Sequence, residues 1–230
     1  MRRSLPGFGR AGMARALPFA LYIVFLVLRE PVATWFGPSA AAWLYAAQIA
    51  VVLAALAIYW GDYVELRLPR NLWARLRATD IALVLVVGLG VFFAWINLDV
   101  PWLSLNAGAA AASPLPGNDL DWLWIGVRIA GAALVVPVME ELFWRSFILR
   151  WLEAQDFLSI DPRNVSLFAI LLSSLAFGLE HSLWFAGLLA GLAYAWLYRR
   201  GSLWLAIAAH GVTNLALGVW VVSSGQWQFW

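Results

Sequence analysis

The stretch WLWIGVRIAGAALVVPVMEELFWR, Trp122 to Arg145, decides how the chain is read. From Trp122 to Met139 it is apolar almost throughout, close to the ~20 residues that a helix needs to cross the hydrocarbon core of a bilayer. It then meets two adjacent glutamates, Glu140 and Glu141, and Arg145. An ionised carboxylate in such surroundings is costly, so it normally faces a polar cavity or a partner. The rest of the 230-residue chain has the same character, with 63% hydrophobic and 12% charged residues and a mean hydropathy of +0.79. A water-soluble domain of this composition would have too little polar side chain to cover its surface. The reading is an all-α, polytopic transmembrane bundle forming a single domain over 1–230.

Windows that qualify or nearly qualify lie at 16–36, 40–60, 79–98, 122–139, 164–180, 183–198 and 203–222, giving about seven to eight spans. Those over 16–98 form an N-terminal set, and those over 122–222 form the core that carries the polar residues. The loop RLPRNLWARLR holds Arg67, Arg70, Arg75 and Arg77, whereas the next loop, rich in Gly and Ala over 107–117 with Pro114 and Pro116, holds acids and neither Lys nor Arg. The positive-inside rule then puts the N-terminus in the cytoplasm and the C-terminus outside, with Arg145, Arg150, Arg199 and Arg200 marking further inner ends. Trp102, Trp122 and Trp124, among sixteen tryptophans, fall where an outer aromatic belt is expected. The basic start, Arg2, Arg3, Arg10 and Arg15, runs into the first span with no small-residue cleavage site following, so it does not read as a removed leader. A net charge of +2, carried in short arginine clusters, gives no basic face for nucleic acid. Without cysteine there are no disulfides and no thiolate metal ligands.

Polar residues gather into three islands. In the first, Glu141 and Arg145 are four apart and share a helix face, so they can pair, while Glu140 is turned about 100° away and is available for chemistry. In the second, FGLEHSLW, Phe177 lies one turn before His181 and can hold the imidazole against a dry wall; Glu180 beside it reads as an ordinary interface acid. In the third, AAHGVTNLALG, His210 and Asn214 share one face, where they could equally glue helices together, with Gly211 permitting close approach. Together a glutamate, two histidines and an asparagine can activate a water and hold the oxyanion formed when it attacks an amide. The same set, Glu140, His181, His210 and Asn214, also suits a divalent ion such as zinc.

The order E-E-x-x-x-R, F-x-x-x-H and H-x-x-x-N, inside spans over about 122–220, resembles the three motifs of the CPBP family of intramembrane proteases, which includes the CAAX prenyl endopeptidases and the bacteriocin-processing or ABI proteins. The resemblance implies an endopeptidase of the bacterial inner membrane acting on a membrane-anchored protein or peptide, with lipid as its surroundings. It implies that Glu140 and His181 activate water, that His210 and Asn214 bind the oxyanion or join a metal, and that Glu141, Arg145 and Phe177 support them. The wording VPVMEELFWRSFILRWL further resembles CAAX-protease-related proteins linked to exosortase sorting systems. Two rivals predict something else: a non-proteolytic scaffold or immunity protein of the same family, and a proton relay, which would spread its charges along a path. One tension is internal to the reading. At about 1.5 Å per helical residue, His210 lies roughly 15 Å from Arg200, whereas His181 lies nearer 27 Å from Arg163.

Overall fold

The computed structural model describes residues 9–67, 77–105 and 122–229, and among them there are helices and turns but no strand. The loop expected over 107–117 and Arg2, Arg3, Arg70 and Arg75 lie outside the described residues. The helices are α1 (Arg10–Phe36), α2 (Pro38–Ile58), α3 (Ala78–Asn97), α4 (Trp122–Trp151), α5 (Leu167–Leu179), α6 (Trp184–Arg200) and α7 (Leu203–Ser224). Of these, α1, α3, α4 and α7 are long and apolar enough to cross a membrane. The exterior is apolar as a lipid-facing surface must be: Val27, Val86, Leu134, Leu167 and Phe168 are all exposed. This is an integral-membrane helical bundle.

Antiparallel neighbours dominate the packing. α1 and α2 form a hairpin whose whole link is Gly37, at φ 89°, a left-handed conformation that costs a glycine nothing. α5 and α6 form a second hairpin through the turn at 180–183, and α7 packs against α3, α4 and α6. The α5–α6 crossing is so close that a Cβ on Gly187 would stand 2.9 Å from the Cα of Gly178. Small residues of this kind let membrane helices meet backbone to backbone.

The fourth span runs on to Trp151 instead of ending near residue 139, and Pro137 does not break it. Instead two wide π-turns, Gly131–Val135 and Leu142–Ile148, bracket the short α-helical piece Val136–Glu141 that carries both glutamates. Each such turn inserts a residue into the helical register and leaves local carbonyls short of donors, and π-turns concentrate at functional sites.

The depth conflict dissolves for a related reason. Residues 152–166 form no α-helix, only two short 3₁₀ turns, so α5 starts at Leu167, and His181 lies roughly 21 Å along its rise from there. Glu140 lies roughly 16 Å from Trp151, and the three islands reach comparable depth.

Two expectations need correction. Trp124 is buried and not part of an outer belt, although Trp102 and Trp122 are exposed. Arg145 and Arg150 are also buried, so they do not reach a solvated inner surface. Arg150 belongs to an ionic cluster that ties three elements together. Glu65, in the turn after α2, accepts from Arg15 Nη2 at 2.5 Å and Arg150 Nη2 at 2.5 Å, and Ser146 Oγ also donates to it. Burial alone would raise the Glu65 carboxyl, but the hydrogen bond and charge of Arg15, with Ser146, hold it below the usual carboxylate range.

Candidate active site

A cavity of about 260 Å³ opens between α1, α3, α4, α5, α6 and α7, and Glu140, Phe177, His181, Tyr194, His210 and Asn214 all line it. The four residues expected to carry chemistry therefore meet in one space, although they come from α4, the α5–α6 turn and α7.

Glu140 is buried, and its Oε2 has no hydrogen-bond partner. His210 Nε2 is the nearest cationic candidate, at 3.9 Å. Glu141 points elsewhere, as its 100° offset requires: Oε2 pairs with Arg145 Nε at 3.2 Å, and Oε1 lies 2.9 Å from His210 Nδ1. The pair with Arg145 follows from the spacing, whereas the contact with His210 joins α4 to α7 and could not be read from either. Paired with Arg145, the Glu141 carboxylate accepts from His210 Nδ1–H, and Nε2 is turned toward Glu140. Tyr194 of α6 stacks on the His210 ring, with centroids 4.9 Å apart and planes 15° apart. Its hydroxyl donates to Thr213 Oγ1, which donates to the carbonyl of Gly88. His210 is thus fixed along one edge and one face. Tyr194 was not singled out by the sequence, where one aromatic among many carries no signal.

His181 sits in the turn after α5, half-buried, its Nδ1 2.8 Å from the carbonyl of Phe177. A carbonyl only accepts, so Nδ1 carries the proton and Nε2 keeps its lone pair. Phe177 lies 4.8 Å from the imidazole and Trp95 lies edge-on at 5.2 Å, so two aromatic rings flank it. Phe177 also carries the Arg145 guanidinium over its face at 4.3 Å. Removing Phe177 would expose both groups.

Asn214 does two things. Its Nδ2 donates to the carbonyl of Ala132, inside the first π-turn, and so supplies a donor where the wide turn withholds one. Its second N–H and its carbonyl oxygen are left for the cavity. The close approach this needs is permitted by Gly211, where a Cβ would meet the Ala133 carbonyl at 2.8 Å. Gluing and lining are both present in one side chain.

Glu180 was read as an interface acid, yet its carboxylate, that of Glu140 and a ring nitrogen of His181 offer ligand atoms all within 4.8 Å of one another. This group could hold a metal. His210 is not part of this group: its Nδ1 is held by Glu141, and its Nε2 lies 3.9 Å from Glu140. Arg128 does not reach the Glu140 cavity: it lies between the Tyr45 and Trp124 rings, at 5.3 and 5.4 Å, beside a smaller cavity against α1 and α2.

A buried carboxylate, two histidines and an amide thus line one cavity of a membrane-embedded helical bundle. Residues 122–216 match the family described as Type II CAAX prenyl endopeptidase Rce1-like. That family supports a CAAX-type intramembrane protease activity in general. No curated protein and no solved structure matches the chain.

Proposed function

We propose that the protein is an integral-membrane endopeptidase that cleaves a peptide bond near a membrane-anchored segment of its substrate. The observation that carries this is the Glu140 carboxylate, buried with Oε2 unpartnered, at a cavity lined also by His181, His210 and Asn214. Leaving such an oxygen bare costs free energy that a structural role would not demand.

In this reading Glu140, with the Nε2 lone pair of His181, takes a proton from a water held between them. The water oxygen attacks the scissile carbonyl carbon, and the negative charge passes to the carbonyl oxygen. The free N–H of Asn214 and, when His210 carries its second proton, Nε2–H of His210 donate to that oxygen. The C–N bond then breaks, and the proton held by Glu140 passes to the leaving nitrogen. Glu141 and Tyr194 keep His210 in the orientation this needs, while Phe177 and Trp95 flank His181. A divalent ion such as zinc, when bound here, would make its water more acidic.

The protein would sit in a bacterial inner membrane with its N-terminus cytoplasmic, since the arginine-rich 67–77 loop would then lie inside. The resemblance of 136–152 to the exosortase-linked relatives supports a reading in which it acts alongside such a sorting system. The test is a panel of membrane-anchored peptides offered to the purified protein in detergent micelles, with products located by mass spectrometry. Cleavage at a bond close to the anchor, absent when the anchor is removed, is expected. A biological effect that survives Glu140→Gln, with no peptide cleaved by the wild type, would instead support a non-proteolytic scaffold.

A further inference from the structure

A second cavity, of about 50 Å³, lies between α1, α2 and α4, and Arg29, Arg128, Tyr45 and Gln48 line it. Arg29 and Arg128 come from different helices, and both sit inside apolar spans, where a guanidinium is costly and normally has a use. Neither takes part in the chemistry proposed above. Arg128 is 8% exposed, and the Tyr45 and Trp124 rings lie against it. Cation–π contacts of this kind steady a charge without using its N–H donors, which lie in the plane of the group. Arg29 is half-buried and, among the described residues, makes no hydrogen bond and no ion pair. Glu30 follows it in sequence, but consecutive helical residues do not face each other, and Glu30 is exposed.

We infer that this cavity is a binding site for the phosphate of one anionic phospholipid, gripped by Arg29 and Arg128. Depth, charge and surroundings all fit. At about 1.5 Å per residue α1 is roughly 40 Å long, enough for the hydrocarbon core and the headgroup layers, and Arg29 lies roughly 10 Å before its end at Phe36. Arg128 lies roughly 9 Å after the start of α4 at Trp122. From that level a long side chain reaches the lipid phosphates of one leaflet. Two guanidinium groups on one small cavity suit an oxyanion that each fork can hold through paired N–H donors, and basic pockets between membrane helices take lipid head groups in this way. Leu26 lines the cavity and is exposed, with Val27 and Leu28 exposed beside it, so acyl chains can lie along α1 while the phosphate is held. A free anion would gain nothing from that apolar surface. Tyr22 lines this cavity and the Glu140 cavity alike, so the bound lipid would stand next to the space proposed for substrate. The site does not depend on the hydrolytic reading.

The experiment titrates the purified full chain, in a neutral maltoside detergent, with dioctanoyl phosphatidylglycerol and counts the lipids retained by native mass spectrometry. Parallel titrations use dioctanoyl phosphatidylcholine and glycerol phosphate. The wild type is expected to retain one phosphatidylglycerol per chain in preference to either of the others. Arg29→Gln and Arg128→Gln should each weaken retention about fivefold. Arg29→Lys, which keeps the charge but not the fork, should restore part of it, and Arg163→Gln, which alters an exposed arginine outside the site, should bind as the wild type does. Retention unchanged in Arg29→Gln, or lowered equally in Arg163→Gln, overturns the site. Phosphatidylcholine retained as well as phosphatidylglycerol would remove its basis in charge. Glycerol phosphate retained as strongly as the lipid would replace the lipid by a free anion and sink the proposal. If Arg128→Gln fails to fold, Arg29→Gln decides, because position 29 is only half-buried.

Discussion

Glu65→Gln tests the ionic cluster that fixes α4 against α1. The Glu65 carboxylate is the shared partner of two buried guanidinium groups, Arg15 and Arg150, whose side chains are 0% and 5% exposed. Substitution by the isosteric amide keeps the shape and part of the hydrogen bonding but leaves two buried cations with no anion. Removing one partner of a buried ion pair costs about 3–5 kcal/mol, and because the amide still offers an oxygen we expect the lower figure. For a chain of this size that corresponds to a fall in Tm of roughly 6–12 °C. The assay is a fluorescence-detected melt in detergent, run across pH. Because the folded Glu65 carboxyl sits below its unfolded value, its contribution is fully present above about pH 4.5 and is lost as pH falls through the lower folded value. Wild type and Glu65→Gln should therefore converge in acid. A variant that melts within about 1 kcal/mol of wild type at pH 7, or a difference that does not shrink in acid, would refute the account of the cluster.

Two further substitutions bear on the site. Glu141→Gln removes the charge that pairs with Arg145 and leaves only a weaker amide acceptor to orient His210, so kcat should fall by roughly 10² with a smaller change in KM, measured on any peptide the wild type cleaves; an unchanged kcat would strip the Glu141 charge of its positioning role. Gly211→Val drives a Cβ into the Ala133 carbonyl at 2.8 Å, where backbone cannot yield cheaply, and should cost about 1–3 kcal/mol in the same melt.

How much of this could be read beforehand follows from which contacts are local. Composition and apolar windows suffice for an all-α membrane bundle, and the ends of α2, α3, α6 and α7 lie within two residues of the windows, whereas α1 starts six residues before its window, at Arg10. The Glu141–Arg145 pair and the Phe177–His181 ring contact each join residues one turn apart, and a 3.6-residue period predicts both. The π-turns of α4 escape such reasoning, because a period assumed constant cannot reveal the inserted residue that lengthens the span to Trp151. The approach of Glu180 to Glu140 and His181 is not legible in the sequence because Glu180 falls just after Leu179, where α5 ends and the helical period stops saying which way a side chain points. The Glu141–His210 contact and the Glu65 cluster bridge residues far apart in the chain, and only the fold brings them together. Trp124 misled because tryptophan near a helix end suits an interface equally well as a buried face, and here it packs with Ile125 and the Arg128 guanidinium.

The most direct test of the central claim compares wild type with Glu140→Gln on an anchored peptide that the wild type cleaves, with both proteins matched for folding by their melts. The account predicts that the amide, which can neither accept nor return the proton, lowers the rate by at least about 10²-fold at every pH at which the wild type works. Cleavage by Glu140→Gln at the wild-type rate would contradict it.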